Sequence, residues 1–245
     1  MKIKHKDALI NFEIDGGPDS PAVLLWNGAR CSLRMWDFVV EKIKDRYRLI
    51  RFDVRGTGHS EYESDENSNF SLEQYAEDAN EILDYLQIDQ VLVWSMAWGS
   101  RAAIAYCALH PERVVNATFN DASVVAPDVV TQMKGAKQSI EKQVAEGIDK
   151  FKKPEGYNTN VSLNSVTQAL AAASRFDLQT QVNLLRMPIL LVAGDHDPNL
   201  ESSKKISDKL QNASLKILKN VGHGSVLQRP DLCINAFLEF QNDQK

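Results

Sequence analysis

No apolar run in this 245-residue sequence approaches the ~18 residues that a membrane-crossing helix needs, so a membrane-embedded protein is not expected. The stretch MKIKHKDALINFEIDG at the amino terminus has polar residues where a secretory signal would carry its apolar segment. Cysteine is scarce: Cys31, Cys107 and Cys233 are odd in number, far apart and outside any metal-ligand spacing. That argues against a disulfide framework and suits a reducing cytoplasm. Neither sign of charge dominates. The net charge of −5 gives no reason to expect nucleic acid or an anionic membrane as partner. Internal repeats, low-complexity tracts and any pattern that would hold a metal or an organic cofactor are also missing, and no metal or cofactor is expected. The composition, 43% hydrophobic and 25% charged, is ordinary for a soluble globular chain, and the length suits one large α/β domain with a substantial core. A soluble, cytoplasmic, single-domain protein is the expectation.

Short apolar runs alternate with helical patterns along most of the chain. Strands are predicted at 22–27, 48–54, 90–95, 113–120, 188–194 and 214–219. Several are almost continuously apolar, as strands buried on both faces are. Helices are predicted near 35–45, 71–87, 98–110, 201–212 and 230–241. The second opens on Ser71 with Gln74 three residues on, a capping signal, and the last opens on Pro230. This alternation predicts a mostly parallel, doubly wound sheet with helices on both faces, and the first 15 residues predict an antiparallel hairpin at its edge. Residues 124–177 break the alternation with lysine- and glutamine-rich helical text. They read as a small helical lid inserted into a core of 1–123 and 178–245.

In VLVWSMAWGSRAAIAYCALHPERV, residues 91–114, a buried strand runs into a turn of small residues and then a helix built on alanines. A nucleophile carried on such an elbow is flanked by small residues, because the turn is strained and packs closely on its neighbours. Here the elbow reads Ser95-Met96-Ala97-Trp98-Gly99, and Ala97 occupies the nucleophile position. Ser95 stands at the small flank and Ser100 already lies in the helix, so neither is expected to replace it. Asp197 follows the strand PILLVAG, where a carboxylate can orient an imidazole, and His223 lies in NVGHG after the last strand. Taken singly, Asp197 suits a turn before proline and His223 a surface loop. Together they complete the order nucleophile, acid, base at successive strand ends. Asp121, at another strand end, is an alternative acid read as structural, and His5, His59, His110 and His196 fit the base less well. The amides of Trp98 and Ala29 are the candidate oxyanion hole. Asp53 to Ser60, DVRGTGHS, reads as a supporting turn. Arg30, Arg34, Arg101 and Trp36 are candidates for contact with a substrate, each with an equally good reading as a surface charge or core aromatic.

From Asn27-Gly28 through DVRGTGHS, ALHPERV, GDHDP and NVGHG, the chain resembles the α/β-hydrolase superfamily. NGARCSLRMWD followed by YRLIRFDVRGTGHS is similar to its 3-oxoadipate enol-lactonase and small carboxylesterase branch. The resemblance implies an α/β-hydrolase fold and a serine hydrolase acting on a small-molecule ester or lactone through a Ser-His-Asp triad. Against that pattern Ala97 stands for serine and Ser95 for the usual glycine, and Trp98 and Ser100 are atypical. Three explanations compete: an engineered Ser→Ala change, a natural ligand-binding pseudoenzyme, and a cofactor-free oxygenase or lyase using only a His–Asp dyad. The intact partners favour the first, since a long-retired enzyme has no chemical reason to keep the acid, the base and the Asn27-Gly28-Ala29 loop.

Overall fold

The computed structural model describes residues 1–63, 70–160 and 162–244. The chain opens with the hairpin β1 (Lys2–His5) and β2 (Ala8–Asp15), then β3 (Ala22–Trp26), a 3-10 turn at Leu33–Trp36 and α1 (Asp37–Ile43). β4 (Arg48–Phe52), the two-residue β5 (Glu61–Tyr62), α2 (Leu72–Tyr85), β6 (Val91–Met96), α3 (Trp98–Leu109) and β7 (Val114–Asn120) follow. Next come α4 (Val129–Ala145), α5 (Leu163–Ala171) and α6 (Leu178–Gln181), with no strand among the described residues between β7 and β8 (Ile189–Gly194). The chain closes with α7 (Leu200–Lys209), β9 (Ala213–Leu218), α8 (Ser225–Gln228) and α9 (Pro230–Asp243). Among the described residues, no helix is long and apolar enough to cross a membrane.

The strands form one sheet in the order β1-β2-β4-β3-β6-β7-β8-β9, with β5 beside β2. β2 is antiparallel to β1, β4 and β5, and every other pair is parallel. All six predicted strands are present within two residues of their expected ends, and the hairpin lies on the edge as expected. Side chains on a strand alternate between faces, and β3 shows what each face meets. Leu24 and Trp26 pack with Tyr75, Ala79 and Ile104 of α2 and α3, whereas Val23 and Leu25 pack with Val39 and Val40 of α1 and Phe237 of α9. Both faces are therefore covered, which is why β3 reads as an unbroken apolar run. Each fully buried aliphatic side chain contributes roughly 1.5–3 kcal/mol to that packing.

Local signals hold where they were read. Ser71 Oγ accepts the Gln74 amide at 3.1 Å to cap α2, and Pro230 starts α9. The parallel arrangement brings the C-terminal ends of β3, β6, β7, β8 and β9 to one edge of the sheet; the loops leaving that edge carry Ala29, Arg30, Ala97, Asp197 and His223, with Trp98 and Arg101 in the first turn of α3 and Arg34 and Trp36 in the turn entering α1.

Candidate active site

β6 ends in an elbow. Ala97 adopts φ 56° and ψ −113°, and its amide donates to Asn120 O at 2.8 Å. A non-glycine residue there costs on the order of 1–3 kcal/mol, tolerated only where the surroundings hold it. Gly99 supplies part of that hold: a Cβ at 99 would lie 2.4 Å from Asn27 O and 2.5 Å from Trp26 O. The start of α3 can therefore press against the end of β3. Ser95 and Ser100 are fully buried and bonded to each other through their hydroxyls at 3.0 Å, and Ser100 Oγ donates to Asn120 O at 2.7 Å. Both hydroxyls are committed below the elbow, so neither replaces a nucleophile at 97. The pocket under the turn that usually needs glycine is filled here by Ser95, and the Ser100 bond satisfies it.

β8 and β9 bring Asp197 and His223 together. His223 Nδ1 lies 3.1 and 3.2 Å from the two carboxylate oxygens of Asp197, and Asp197 Oδ1 also accepts the Asn199 amide at 3.0 Å. The Nδ1 contact leaves Nε2 as the working nitrogen of the ring. Burial pulls the His223 pKa down, but the Asp197 hydrogen bond and the charges of Asp121 and Asp197 outweigh it, and the imidazole sits above its ordinary value. Asp121 takes φ 54° at the end of β7, and its Oδ2 accepts the Gly224 and Ser225 amides at 3.0 and 2.7 Å. Burial, then the charge of Asp197, pushes the Asp121 carboxyl up to about 7. Asp121 thus pins the base loop and adds a carboxylate beside the dyad. Asp121, Asp197 and His223 converge to within 4.8 Å, a donor set a divalent cation accepts. Nδ1 is already engaged by Asp197, which favours the acid–base use of the set.

The Trp98 amide opens α3, and the Ala29 amide lies in the exposed turn after β3 that the Cys31 amide closes onto Gly28 O at 3.0 Å. Among the described residues neither amide donates to a protein acceptor. Asn160 ties this loop down, donating to Arg30 O at 3.1 Å and accepting the Gly58 amide at 2.8 Å. Asp53 accepts from Leu33 N, His59 N and Asn11 Nδ2, so DVRGTGHS is the supporting turn that its glycines suggest. Two of the substrate-contact candidates are otherwise occupied. Trp36 is fully buried, donates to Asn27 Oδ1 at 3.0 Å and packs on Trp94, while Arg34 pairs with Glu13 and Asp37. Arg30 is exposed in the turn after β3, and Arg101 donates to Val125 O.

Several positioning residues carry no readable signal in the sequence. Gln228 donates to His223 O at 2.7 Å and accepts Gly222 N at 3.1 Å and Ser139 Oγ at 2.9 Å, holding the base loop on both sides of the histidine. Gln143 donates to Asn220 O at 2.7 Å, and Gln132 to Asn199 Oδ1 at 3.3 Å. α4 is therefore fastened to both the acid loop and the base loop. A surface cleft of about 350 Å³ between the 123–126 loop and α7 meets the acid loop at Pro198 and Asn199 but includes neither Ala97 nor His223.

Comparison with known proteins agrees with this fold. The chain is 22% identical to 3-oxoadipate enol-lactonase 1 of Acinetobacter baylyi over 98% of its own length and 96% of the relative's. A hydrolase from Pseudomonas aeruginosa superposes with a TM-score of 0.80 at 21% identity, covering 98% of this chain and 97% of that one. The enol-lactonase from Burkholderia xenovorans superposes with a TM-score of 0.81 at 18% identity, covering 99% and 100%. The family model of the α/β hydrolase fold matches residues 21–156. That match spans more than half of the chain, and with the mostly parallel sheet in place the chain belongs to the α/β hydrolase fold family.

Proposed function

We propose that this site binds a small carboxylic ester or lactone as a serine hydrolase does, and that the chain as written lacks only the acylating hydroxyl. The observation that carries the reading is the His223–Asp197 dyad, at the same edge of the sheet as an elbow that keeps its strained backbone although Ala97 has no chemistry to offer. That is the pattern a single Ser→Ala change leaves in a working hydrolase, and the enol-lactonase relatives support the substrate class. With serine at 97, Nε2 of His223 takes the hydroxyl proton and the oxygen attacks the carbonyl carbon. The Trp98 and Ala29 amides receive the oxyanion, and Asp197 holds the ring in the productive tautomer. Water then opens the acyl-enzyme with His223 as base. With alanine, the substrate still meets the oxyanion amides, but no acyl-enzyme forms. Segment 124–177 acts as the lid over this edge of the sheet, and the three buried free thiols support a reducing, cytoplasmic setting.

The test is Ala97→Ser assayed beside the parent chain on a short-chain nitrophenyl ester series. Turnover should rise on the order of 10⁶-fold, the scale of losing a triad serine. Equal, substantial activity in both proteins would refute the assignment of position 97. If neither protein hydrolyses an ester, base chemistry by the Asp197–His223 dyad alone becomes the reading, and proton abstraction from a carbon or hydroxyl acid is then the reaction to assay.

A further inference from the structure

α4 is an inverted amphipathic helix. The face against the body carries Gln132, Gly135, Ser139 and Gln143, which are polar or small, whereas its exposed side carries Val130 at 80%, Met133 at 70% and Val144 at 58% exposure. The usual arrangement places the apolar side inward. The inward residues fasten the helix to the loops beneath it: Gln132 bonds Asn199, Gln143 bonds Asn220, Ser139 bonds Gln228, and Gly135 lets His196 O approach the helix. The outward ones are exposed among the described residues, and two further features indicate what covers them.

The first is spacing. Val130, Met133, Lys137, Ile140 and Val144 follow one another at intervals of three and four, the a and d positions of two heptads. The stripe faces well away from the buried face, since at 100° per residue it is centred more than a third of a turn from Ser139. The second is charge. Flanking the stripe on its exposed side are Lys134 and Glu141, both e positions in that frame. In an antiparallel pair, e faces e, so Lys134 of one copy meets Glu141 of the other, twice by symmetry. A parallel pair lacks that match. Within one copy Glu141 has only a loose contact with Lys137 at 3.8 Å, both side chains mostly exposed, so little is given up.

We propose that the outer face of α4 is a self-association surface, on which a second copy of this chain docks its own α4 antiparallel. The register that pairs Lys134 with Glu141 places Met133 over Val144 of the second copy and the stem of Lys137 over Ile140 of the second copy. The two-fold axis passes between residues 138 and 139. Lysine at a central a position lowers stability and fixes register. α4 has 17 residues and is about 25 Å long, so the contact is at the small end for stable pairs and the dimer is a micromolar one. Because the inner face of the same helix holds Gln228, Asn220 and Asn199, assembly steadies the loops that carry His223 and Asp197.

Sedimentation velocity of the full chain across about 1–200 μM tests this. The expected result is a concentration-dependent dimer that Met133→Glu abolishes. Lys134→Glu and Glu141→Lys should each weaken it roughly tenfold, because two pairs turn from attraction to repulsion. The double variant Lys134→Glu/Glu141→Lys should restore it. These side chains are exposed, so thermal melts taken in the dilute, monomeric range should be unchanged and loss of folding is separable from loss of association. The double variant Met133→Cys/Val144→Cys should cross-link between copies under mild oxidant, against a background of three buried native thiols. A monomer at every concentration would overturn the proposal, as would a dimer indifferent to Met133→Glu. Weakening by both single charge changes without rescue in the double would overturn the antiparallel register. A monomer that sediments instead with phosphatidylglycerol vesicles would assign the stripe to a lipid surface and overturn the second copy as occupant.

Discussion

Replacing Gly135 by alanine sets two opposed effects against each other, and the structure says which prevails. In a helix interior, glycine to alanine normally stabilises by about 1 kcal/mol. At 135, however, the new Cβ would lie 2.0 Å from His196 O, where ordinary contact begins at 3.4 Å. The opposing atom is backbone in the acid loop and cannot rotate away. Helix and loop must therefore separate by about 1.4 Å, or the helix must tilt. Overpacking of this kind costs roughly 1–3 kcal/mol. Separation also loosens the Gln132–Asn199 and Gln143–Asn220 bonds, each worth on the order of 1 kcal/mol. The net expectation is a loss of roughly 1–3 kcal/mol, which for a chain of this size lowers Tm by about 3–10 °C. Differential scanning calorimetry measures it directly. Gly222→Ala approaches the same seam from the other side, at 2.5 Å from Ala136 Cα, and should also lower Tm. A rise of a few degrees for Gly135→Ala would mean that intrinsic helix propensity decides, and that α4 does not sit on the acid loop as described.

Three further changes probe the site itself. Ala97→Gly removes the left-handed strain at φ 56° while adding freedom to the unfolded chain, and should stabilise the fold by about 1 kcal/mol; a lower Tm would refute the strain. Asp197→Asn removes the charge that lifts His223 and turns a charge-assisted hydrogen bond into a neutral one, so the imidazole should titrate below the parent's value in ¹⁵N NMR. The parent's own contribution from His223 is present below the ordinary histidine pKa and fades as pH rises through the raised value, and Asp197→Asn removes that dependence. For Asp121, a carboxyl raised to about 7 holds its proton more tightly folded than unfolded, so stability is greatest below the ordinary carboxylate range and falls as pH rises towards and through 7. An asparagine side chain in its place keeps an oxygen for the Gly224 and Ser225 amides without the charge. Asp121→Asn should therefore melt higher than the parent at pH 8 and show no advantage at pH 4. Asp121 and the His223 imidazole lie in one cluster, so these curves belong to the pair.

The sequence by itself determined the sheet and the edge of it at which the candidate residues gather. Short continuous apolar runs alternating with helical patterns read as strands covered on both faces, and small residues on both sides of position 97 mark a turn that few side chains tolerate. The order of Ala97, Asp197 and His223 followed from strand ends, and the structure brings the acid and base together. Tertiary structure alone decided what surrounds them. Trp36 and Arg34 lie near the oxyanion loop in sequence, yet one is core and the other is held by Glu13 and Asp37, because β2 and β6 are brought beside them from elsewhere in the chain. Gln228, Ser139 and Gln143 have no distinguishing pattern, since a side-chain amide or hydroxyl becomes a positioning group only when the fold places a loop within 3 Å of it. The inverted face of α4 was hidden for the same reason: the heptad spacing is written in the sequence, but only the packed structure shows that the apolar side is the one left facing outward. Periodicity reports that a helix has two faces, and the neighbours it meets decide which of them is inside.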